Sequence, residues 1–131
     1  MLSGTAEYAL RAAVHLAREG ADGPMRAEQI AAAIDVPRNY LGKILHALVR
    51  AGVLRSTRGK RGGFRLAVRP AELPLVRIVS PFDDIQPRRR CLLGRPECSD
   101  RSPCPVHHRW RATSEQIVTF FRDTTLADVL D

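Results

Sequence analysis

Residues 37–66 read PRNYLGKILHALVRAGVLRSTRGKRGGFRL, and this stretch decides the predicted fold. Pro37 suits the first turn of a helix, where its missing N–H would have no partner in any case. The apolar residues that follow recur with the 3.6-residue period of one helix face; they are Leu41, Ile44, Leu45, Leu48 and Val49. Ala51 and Gly52 end the pattern, because Gly52 is able to take the left-handed conformation that terminates a helix. The sequence therefore predicts a helix from Pro37 to about Arg50.

Two short extended runs follow this helix, at residues 53–57 and 63–68. Between them lies RGKRGG, whose three glycines permit a tight turn with positive φ. Helix, strand, glycine-rich turn and strand is the order of a recognition helix followed by a wing. Upstream, residues 3–18 and 27–34 predict two further helices, and the turn at Asp35 and Val36 joins the second of them to the recognition helix. This pattern predicts a helix-turn-helix, in which the second helix enters the major groove of DNA.

Positive charge is concentrated in the same stretch. Residues 38–69 contain nine Lys and Arg side chains and no Asp or Glu, although the chain has 14 acidic residues. A basic run by itself is usually a solvated surface, but joined to a helix-turn-helix it indicates a polyanion partner, since each neutralised phosphate releases counterions. We predict that the start of the helix reaches base edges and that the wing meets phosphate or the minor groove. The predicted DNA-contact residues are Arg38, Asn39, Tyr40 and Lys43 in the helix and Arg58, Lys60 and Arg61 in the wing.

The whole chain has 131 residues and a formal net charge of +7, enough for one domain with an appendage. No apolar run approaches the ~18 residues of a membrane span, and no signal-peptide pattern opens the chain. Three cysteines suit a reducing compartment better than a disulfide framework. We therefore expect a cytoplasmic protein with no membrane partner. No nucleophile with its base, phosphate loop or paired carboxylate site rises above chance, so we do not expect an enzyme.

The second half of the chain predicts a helix over 72–82, a loop over 83–107, a longer helix over 105–122 and a helical turn over 125–130 capped by Thr125. The longer helix carries an apolar stripe that needs cover. Twofold dimers dominate soluble oligomers, so we expect the same helix of a second copy to cover it. The predicted interface anchors are Trp110, Ile117 and Phe121. The alternative is that this helix folds onto its own winged-helix domain.

All three cysteines fall within 14 residues of the loop, in CLLGRPECSDRSPCPVHHRW. Six residues separate Cys91 from Cys98, five separate Cys98 from Cys104, and His107 lies three positions beyond Cys104. Chance clustering of inert buried cysteines is the alternative, but a polar, proline-rich loop offers little core to bury them. Zinc sites typically use closer cysteine pairs, whereas iron–sulfur clusters accept wider spacings and sometimes histidine. Spacing alone favours an iron–sulfur cluster over zinc only modestly.

The chain resembles the Rrf2 family of bacterial winged-helix regulators nearly end to end, from Glu7 to Leu130. The resemblance rests on EYALRA, VPRNYLGKIL, RGKRGGFRL, the three-cysteine loop and FFRDTTLADVL. It implies a homodimeric transcription regulator, usually a repressor, that binds a near-palindromic site on double-stranded DNA. It also implies that an iron–sulfur cluster, which senses redox state, nitric oxide or iron–sulfur status, controls DNA affinity. A third interpretation is a metal or iron–sulfur carrier, but the wing argues against it, because a carrier does not need a wing.

By this resemblance, Cys91, Cys98 and Cys104 match the three cysteine ligands of the family. The fourth ligand varies: in IscR-like members it is a histidine three residues past the last cysteine, here His107, and in NsrR-like members it is an acidic residue of the partner's first helix, here Glu7. We favour His107 with a 2Fe-2S cluster and keep Glu7, with a 4Fe-4S cluster, as the alternative. The first cysteine gap is longer than in the members compared. A second interpretation keeps the regulator without a cluster, under control of cysteine redox chemistry, zinc or a small ligand.

The expected fold class is mainly α with a small β-wing, a winged helix-turn-helix followed by a long C-terminal dimerisation helix. The expected division is a DNA-binding domain over 1–82, a cysteine-rich cluster-binding loop over 83–107, and the dimerisation helix with its terminal turn over 105–131.

Overall fold

The computed structural model describes residues 2–85, 91–95 and 100–130. Within these ranges it has five α-helices and one two-stranded antiparallel sheet. In chain order they are α1 Gly4–Glu19, α2 Ala27–Ile34, α3 Arg38–Arg50, β1 Leu54–Thr57, β2 Gly63–Leu66, α4 Leu75–Val79 and α5 His107–Asp123. None of the helices described is both long and apolar enough to cross a membrane. The predicted fold class, mainly α with a small β-wing, is confirmed.

The first three helices follow the sequence pattern closely. Ser3 caps α1, because its hydroxyl oxygen accepts the N–H of Ala6 at 3.1 Å. Helix α2 spans the predicted residues. Asp35 then takes a left-handed conformation with φ 57°, which Asp tolerates better than most residues. Pro37 stands at the N-cap of α3, one position before the first turn in which it was predicted to lie. The result is the tight connection between α2 and α3 that a helix-turn-helix requires.

The wing is a short hairpin in which Leu54 pairs with Leu66 and Thr57 pairs with Gly63. Both strands are shorter than the predicted 53–57 and 63–68. Val53 is excluded from β1 because its N–H donates to the carbonyl of Leu48 at 3.0 Å, as part of the end of α3. Gly52 has φ +79°, the left-handed conformation that the sequence predicted for the helix end.

A third segment fixes the wing to the helices. Met25, just before α2, exchanges two backbone hydrogen bonds with Phe64 at 2.9 and 2.7 Å. This approach leaves no room for a side chain at Gly63, where a Cβ would lie 2.4 Å from the carbonyl oxygen of Met25 and where φ is +147°. At Gly62 a Cβ would lie 2.2 Å from the carbonyl oxygen of Thr57. The two adjacent glycines therefore have different roles: Gly62 allows the turn to close, and Gly63 allows Met25 to approach the wing.

The predicted helix over 72–82 needs correction, because α4 covers only Leu75–Val79. Residues Pro70–Glu72 form a 3₁₀ turn, and Leu73 is extended with φ −112° and ψ 95°. Pro74 accounts for the late start, since a residue that precedes proline is driven out of the helical region. Leu73, Ile78 and Val79 are nevertheless fully buried. The apolar pattern therefore indicated a buried segment correctly, but it predicted too long a helix.

Helix α5 begins at His107 rather than at 105 and ends at Asp123. Its C-terminal end packs on its own domain: Phe121 is 6% exposed and belongs to the main core with Leu126. The N–H of Leu75 donates to the carbonyl of Thr124 at 2.9 Å, and that of Leu126 donates to the carbonyl of Leu73 at 2.8 Å. For Phe121 the alternative therefore holds, because the ring predicted as a dimer anchor is covered by its own chain.

The rest of α5 leaves room for a partner. Phe120 is 52% exposed and Trp110 is half-buried, whereas Ile117, also half-buried, packs against the main core. Beyond the helix, the hydroxyl of Thr125 accepts the N–H of Asp128 at 3.3 Å, as a cap should, and a 3₁₀ turn follows at Ala127–Val129. Dimerisation through α5 and the division of the chain into three parts remain predictions.

We predict that Gly63→Ala lowers the free energy of unfolding by about 1–3 kcal/mol, because Ala at this φ strains the backbone and forces Met25 away. Gly42→Ala is the matched control, since Gly42 lies inside α3 with no atom within 4 Å of an added Cβ. It should raise the free energy of unfolding by about 0.5–1 kcal/mol. Urea denaturation followed by circular dichroism measures both changes. Equal destabilisation by the two substitutions would contradict the close approach of Met25.

Candidate functional site

A basic cleft of about 510 Å³ lies between the start of α2, the first half of α3 and the wing. We call it the reading cleft. Its helical wall is formed by Arg26, Glu28, Arg38, Asn39, Lys43 and His46, and its other wall by the wing turn. An α-helix flanked by a basic hairpin fits the geometry by which winged helices engage a DNA duplex. Of the seven residues that the sequence predicted as DNA contacts, three line this cleft: Arg38, Asn39 and Lys43.

Two of the predicted DNA-contact side chains on α3 already interact with other residues of the protein. Arg38 forms an ion pair of 2.7 Å with Glu28 on α2. The helix N-terminal backbone N–H of Glu28 and the nearby Arg38 hold the pKa of the Glu28 carboxyl below its usual value. Tyr40 turns towards α1, where its hydroxyl hydrogen-bonds to Thr5 and its ring meets the edge of Tyr8 at 5.7 Å. Arg38 and Tyr40 are thus partly engaged in holding α3 against its neighbours.

Asn39 and Lys43 are exposed and line the reading cleft. Arg58, Lys60 and Arg61 are exposed on the wing turn. These five side chains are therefore accessible to the backbone or base edges of a DNA duplex. Their contact with DNA remains a prediction.

Two cleft residues were missed by the sequence reasoning. Arg26 precedes α2, and one of its guanidinium N–H groups donates to the carbonyl of Lys60 at 2.7 Å. His46 lies on α3 and meets the ring of Phe64 at 5.4 Å, edge to face. The signal for Arg26 was its position at the start of the first helix of the motif, the element that crosses the DNA backbone. A single histidine in a helix carries no such signal.

The structure places Cys91 and Cys104 together, although 12 residues separate them in the chain. Their exposed fractions are 9% and 8%. The backbone N–H of Arg95 hydrogen-bonds to the Cys91 sulfur, and so do the N–H of Leu93, at 3.4 Å, and the Cys104 thiol. These donors, Arg95 first, hold the pKa of the Cys91 thiol below its ordinary value in spite of burial. Cys98 lies outside the described residues.

His107 lies three positions beyond Cys104, at the start of α5, and is buried, with 2% of its surface exposed. Its backbone N–H donates to the carbonyl of Cys104 at 3.0 Å. Its Nε2 lies 2.8 Å from a carboxylate oxygen of Asp100, and Arg111 donates to both oxygens of that carboxylate at 2.8 and 2.9 Å. The hydrogen bond with His107, followed by Arg111, holds the pKa of Asp100 below its usual value.

Asp100 and Arg111 were also missed by the sequence reasoning. The available signal was that His107 and Arg111 are four residues apart, which places them on one face of a helix. Asp100 lies on the loop, and nothing in the sequence indicates that it folds back to that face. The three side chains form a chain of contacts that fixes the imidazole at the start of α5.

By residue type, two thiols in contact and an imidazole oriented by Asp100 are suitable ligands for a metal centre of soft character. Within residues 2–85, 91–95 and 100–130, however, no three His, Cys, Asp or Glu side chains are gathered closely enough to hold a metal ion. The third predicted thiol, that of Cys98, falls in a gap between these ranges. Glu7, the alternative fourth ligand, is exposed in the first turn of α1.

Comparisons with known proteins agree with this geometry. The chain is 38% identical, over 133 residues, to an HTH-type transcriptional regulator of Aquifex aeolicus, covering 100% of this chain and 92% of the relative. It is 27% identical to the HTH-type transcriptional regulator IscR of Aliivibrio salmonicida, covering 98% and 76%.

Two solved structures show the same fold. The structure of IscR from T. potens aligns with a TM-score of 0.77 at 23% identity, over 98% of this chain and 84% of the other. The structure of CymR, the global cysteine regulator of B. subtilis, aligns with a TM-score of 0.77 at 21% identity, over 98% and 95%.

The family model described as "Rrf2: Iron-dependent Transcriptional regulator" matches residues 2–131, nearly the whole chain. That match, the 38% identical relative and the winged-helix fold agree with each other. The chain belongs to the Rrf2 family of transcriptional regulators.

Proposed function

We propose that this chain is a homodimeric, DNA-binding transcription regulator, in the usual case a repressor, whose DNA affinity is controlled by an iron–sulfur cluster in the loop before α5. The observation that carries the control by a cluster is the buried, contacting pair Cys91 and Cys104, with the backbone of His107 hydrogen-bonded to Cys104. Inert cysteines would not need backbone N–H donors directed at the sulfur. The family, described as iron-dependent, supports the same class of control.

The DNA-binding half of the proposal rests on the reading cleft. Asn39 and Lys43 lie on the exposed side of α3, where amide and ammonium groups are able to donate to base edges. Lys60 and Arg61 extend from the wing turn, where they would neutralise phosphates and release counterions. A homodimer places two such clefts about a twofold axis, and the operator should accordingly be near-palindromic.

The cluster would be held by Cys91, Cys98 and Cys104, with His107 as the favoured fourth ligand and Glu7 of the partner subunit as the alternative. When bound, the cluster supplies chemistry that responds to redox state, nitric oxide and iron–sulfur supply. Asp100 would keep the imidazole in one orientation, as carboxylates commonly do for histidine ligands. Arg111 in turn keeps Asp100 in place through its two hydrogen bonds.

A specific observation also favours a second candidate, control by cysteine redox chemistry without a cluster. The thiols of Cys91 and Cys104 are already in hydrogen-bond contact. A lowered thiol pKa favours the thiolate, the nucleophile in disulfide exchange. Oxidation would join the two sulfurs, with loss of two protons and two electrons to an oxidant such as a peroxide or a small disulfide.

We predict that Lys60→Ala and Arg61→Ala weaken binding to every duplex by a similar factor and lower the salt slope by about one unit each. Asn39→Ala should instead change the order of preference among duplexes selected from a random library. Arg122→Ala, which removes one positive charge at the far end of α5, is the matched control. Fluorescence anisotropy at several salt concentrations measures all four. An unchanged affinity and salt slope in the Lys60, Arg61 double variant would contradict the role of the wing.

We predict that the parent, purified without oxygen, contains iron and acid-labile sulfide and absorbs visible light. Replacing Cys91, Cys98 or Cys104 with Ala should abolish the colour and change DNA affinity, while Ser102→Ala in the same loop should do neither. Of His107→Ala and Glu7→Ala, only the variant of the true ligand should shift the spectrum. A colourless parent that loses 2 Da on oxidation, with the loss abolished in Cys91→Ala, would favour the redox alternative and exclude the cluster.

We predict that Phe120→Ser and Trp110→Ala weaken the dimer roughly ten- to a hundredfold, because each removes apolar surface from the proposed interface. Sedimentation velocity at several concentrations measures the change. Phe121→Ala is the contrasting variant, since its ring is buried in its own domain. That variant should lower the free energy of unfolding by about 3–5 kcal/mol. A dimer of unchanged strength in both surface variants would place the interface elsewhere.

A further inference from the structure

We propose that Arg26 is a positioning residue for DNA reading, which holds the tip of the wing at a fixed distance from the recognition helix. The hydrogen bond from its guanidinium to the carbonyl of Lys60, 2.7 Å long, connects the start of α2 to the turn of the wing. We call this bond the strap. The inference rests on the proposed DNA binding for its consequence, but the strap itself is a property of the free protein.

The strap is able to restrain the position of the turn, and this matters because the wing is small. It consists of only four residue pairs, and an isolated hairpin of that size is marginally stable in water. Strand β2 is fixed at Phe64, in the second residue pair from the turn, because Phe64 is buried and paired with Met25. The turn lies beyond the last strand pair, Thr57 with Gly63, and its residues 58–61 are exposed, so the strand pairing does not hold it.

The segment Met25–Arg26 holds the wing at two levels. The backbone of Met25 fixes the turn-side half of β2 through its pair of bonds with Phe64, and the side chain of the next residue fixes the turn itself. Arg26 is itself held, because its backbone N–H donates to the side-chain oxygen of Gln29 at 2.9 Å. Since α2 and α3 are joined by a tight turn, a wing fixed to the start of α2 is also fixed relative to α3.

The chemistry explains why an arginine is suited to this place. Its long stem reaches across the cleft, and a guanidinium carries five N–H donors, so one of them can bind a carbonyl while the positive charge is kept. The strap uses the carbonyl of Lys60 and leaves the Lys60 ammonium free for phosphate. Arg26 and the Lys60 side chain therefore have separable roles, which substitutions are able to distinguish.

Hydrogen exchange in the free protein tests the strap without DNA. The N–H of Gly62 donates to the carbonyl of Gly59 at 3.0 Å within the turn, while the N–H of Phe64 donates to the carbonyl of Met25 from strand β2. Arg26→Met should speed exchange at Gly62 roughly fivefold, the value of one ordinary hydrogen bond, and leave Phe64 unchanged. Arg26→Lys, which keeps a donor, should restore much of the protection. Arg55→Met, which removes a charge from β1, should change neither amide.

A double-mutant cycle tests the consequence for DNA. Lys60→Ala keeps the carbonyl and so keeps the strap. If Arg26 acts by positioning, Arg26→Met should weaken binding, and Lys60→Ala should cost clearly less in that background than in the parent. The salt slope should then fall by less than the sum of the two single changes.

The outcomes separate the alternatives. Additive losses, with a salt slope that falls by about two units in the double variant, would mean that Arg26 contacts phosphate directly and would overturn the positioning role. Unchanged exchange at Gly62 in Arg26→Met would overturn the strap itself. A parent that binds no duplex would refute the proposed function and the reading role together, whereas faster exchange at Gly62 would still establish the strap.

Discussion

The close packing of α1 is the constraint on which the rest of the molecule depends. Four of its alanines, Ala6, Ala9, Ala12 and Ala13, have no exposed surface. Small side chains on three neighbouring turns let other helices approach the α1 backbone closely, and interhelical distance is set by the side chains at the contact. The helix-turn-helix and α4 are arranged around this surface. A larger side chain at any of these positions would displace the elements that form the reading cleft, because a dense core has no space to absorb it.

Local chemistry made much of the fold predictable from sequence. Apolar periodicity predicted helices α2 and α3, Gly52 predicted the end of α3, and the glycines of the turn predicted the wing. What could not be predicted depends on contacts distant in sequence. The pairing of Met25 with Phe64 involves a single residue on each side, too short to leave a periodic pattern. The stripe on α5 showed that Phe121 needed cover, but periodicity cannot tell a partner's surface from the chain's own core.

The cysteine site shows the same division. Clustering in the loop predicted Cys91, Cys104 and His107 as a group, and that grouping remains a prediction; the expectation that the loop offers little core was wrong for Cys91 and Cys104, since both thiols are buried. The structure adds what spacing could not give: Cys91 and Cys104 are in contact, and backbone donors surround one sulfur. It also adds Asp100 and Arg111, which no motif indicated. Polar networks between a loop and a helix depend on how the loop folds back, and that is decided by tertiary packing.

The position of the loop determines what a bound cluster would act on. Before the loop, α4 is buried in the main core; after it, the end of α5 returns to the same core through Phe121 and Leu126. Ligand binding in the loop therefore has little means of moving the winged-helix core, which is fixed at both sides. The beginning of α5 is different, because His107 and Arg111 connect it to the loop through Asp100. A cluster would act through that first turn on the direction of α5, and in the proposed dimer the direction of α5 sets the separation of the two reading clefts. Binding to two half-sites depends steeply on that separation, so a small rotation of α5 would be sufficient for the proposed control.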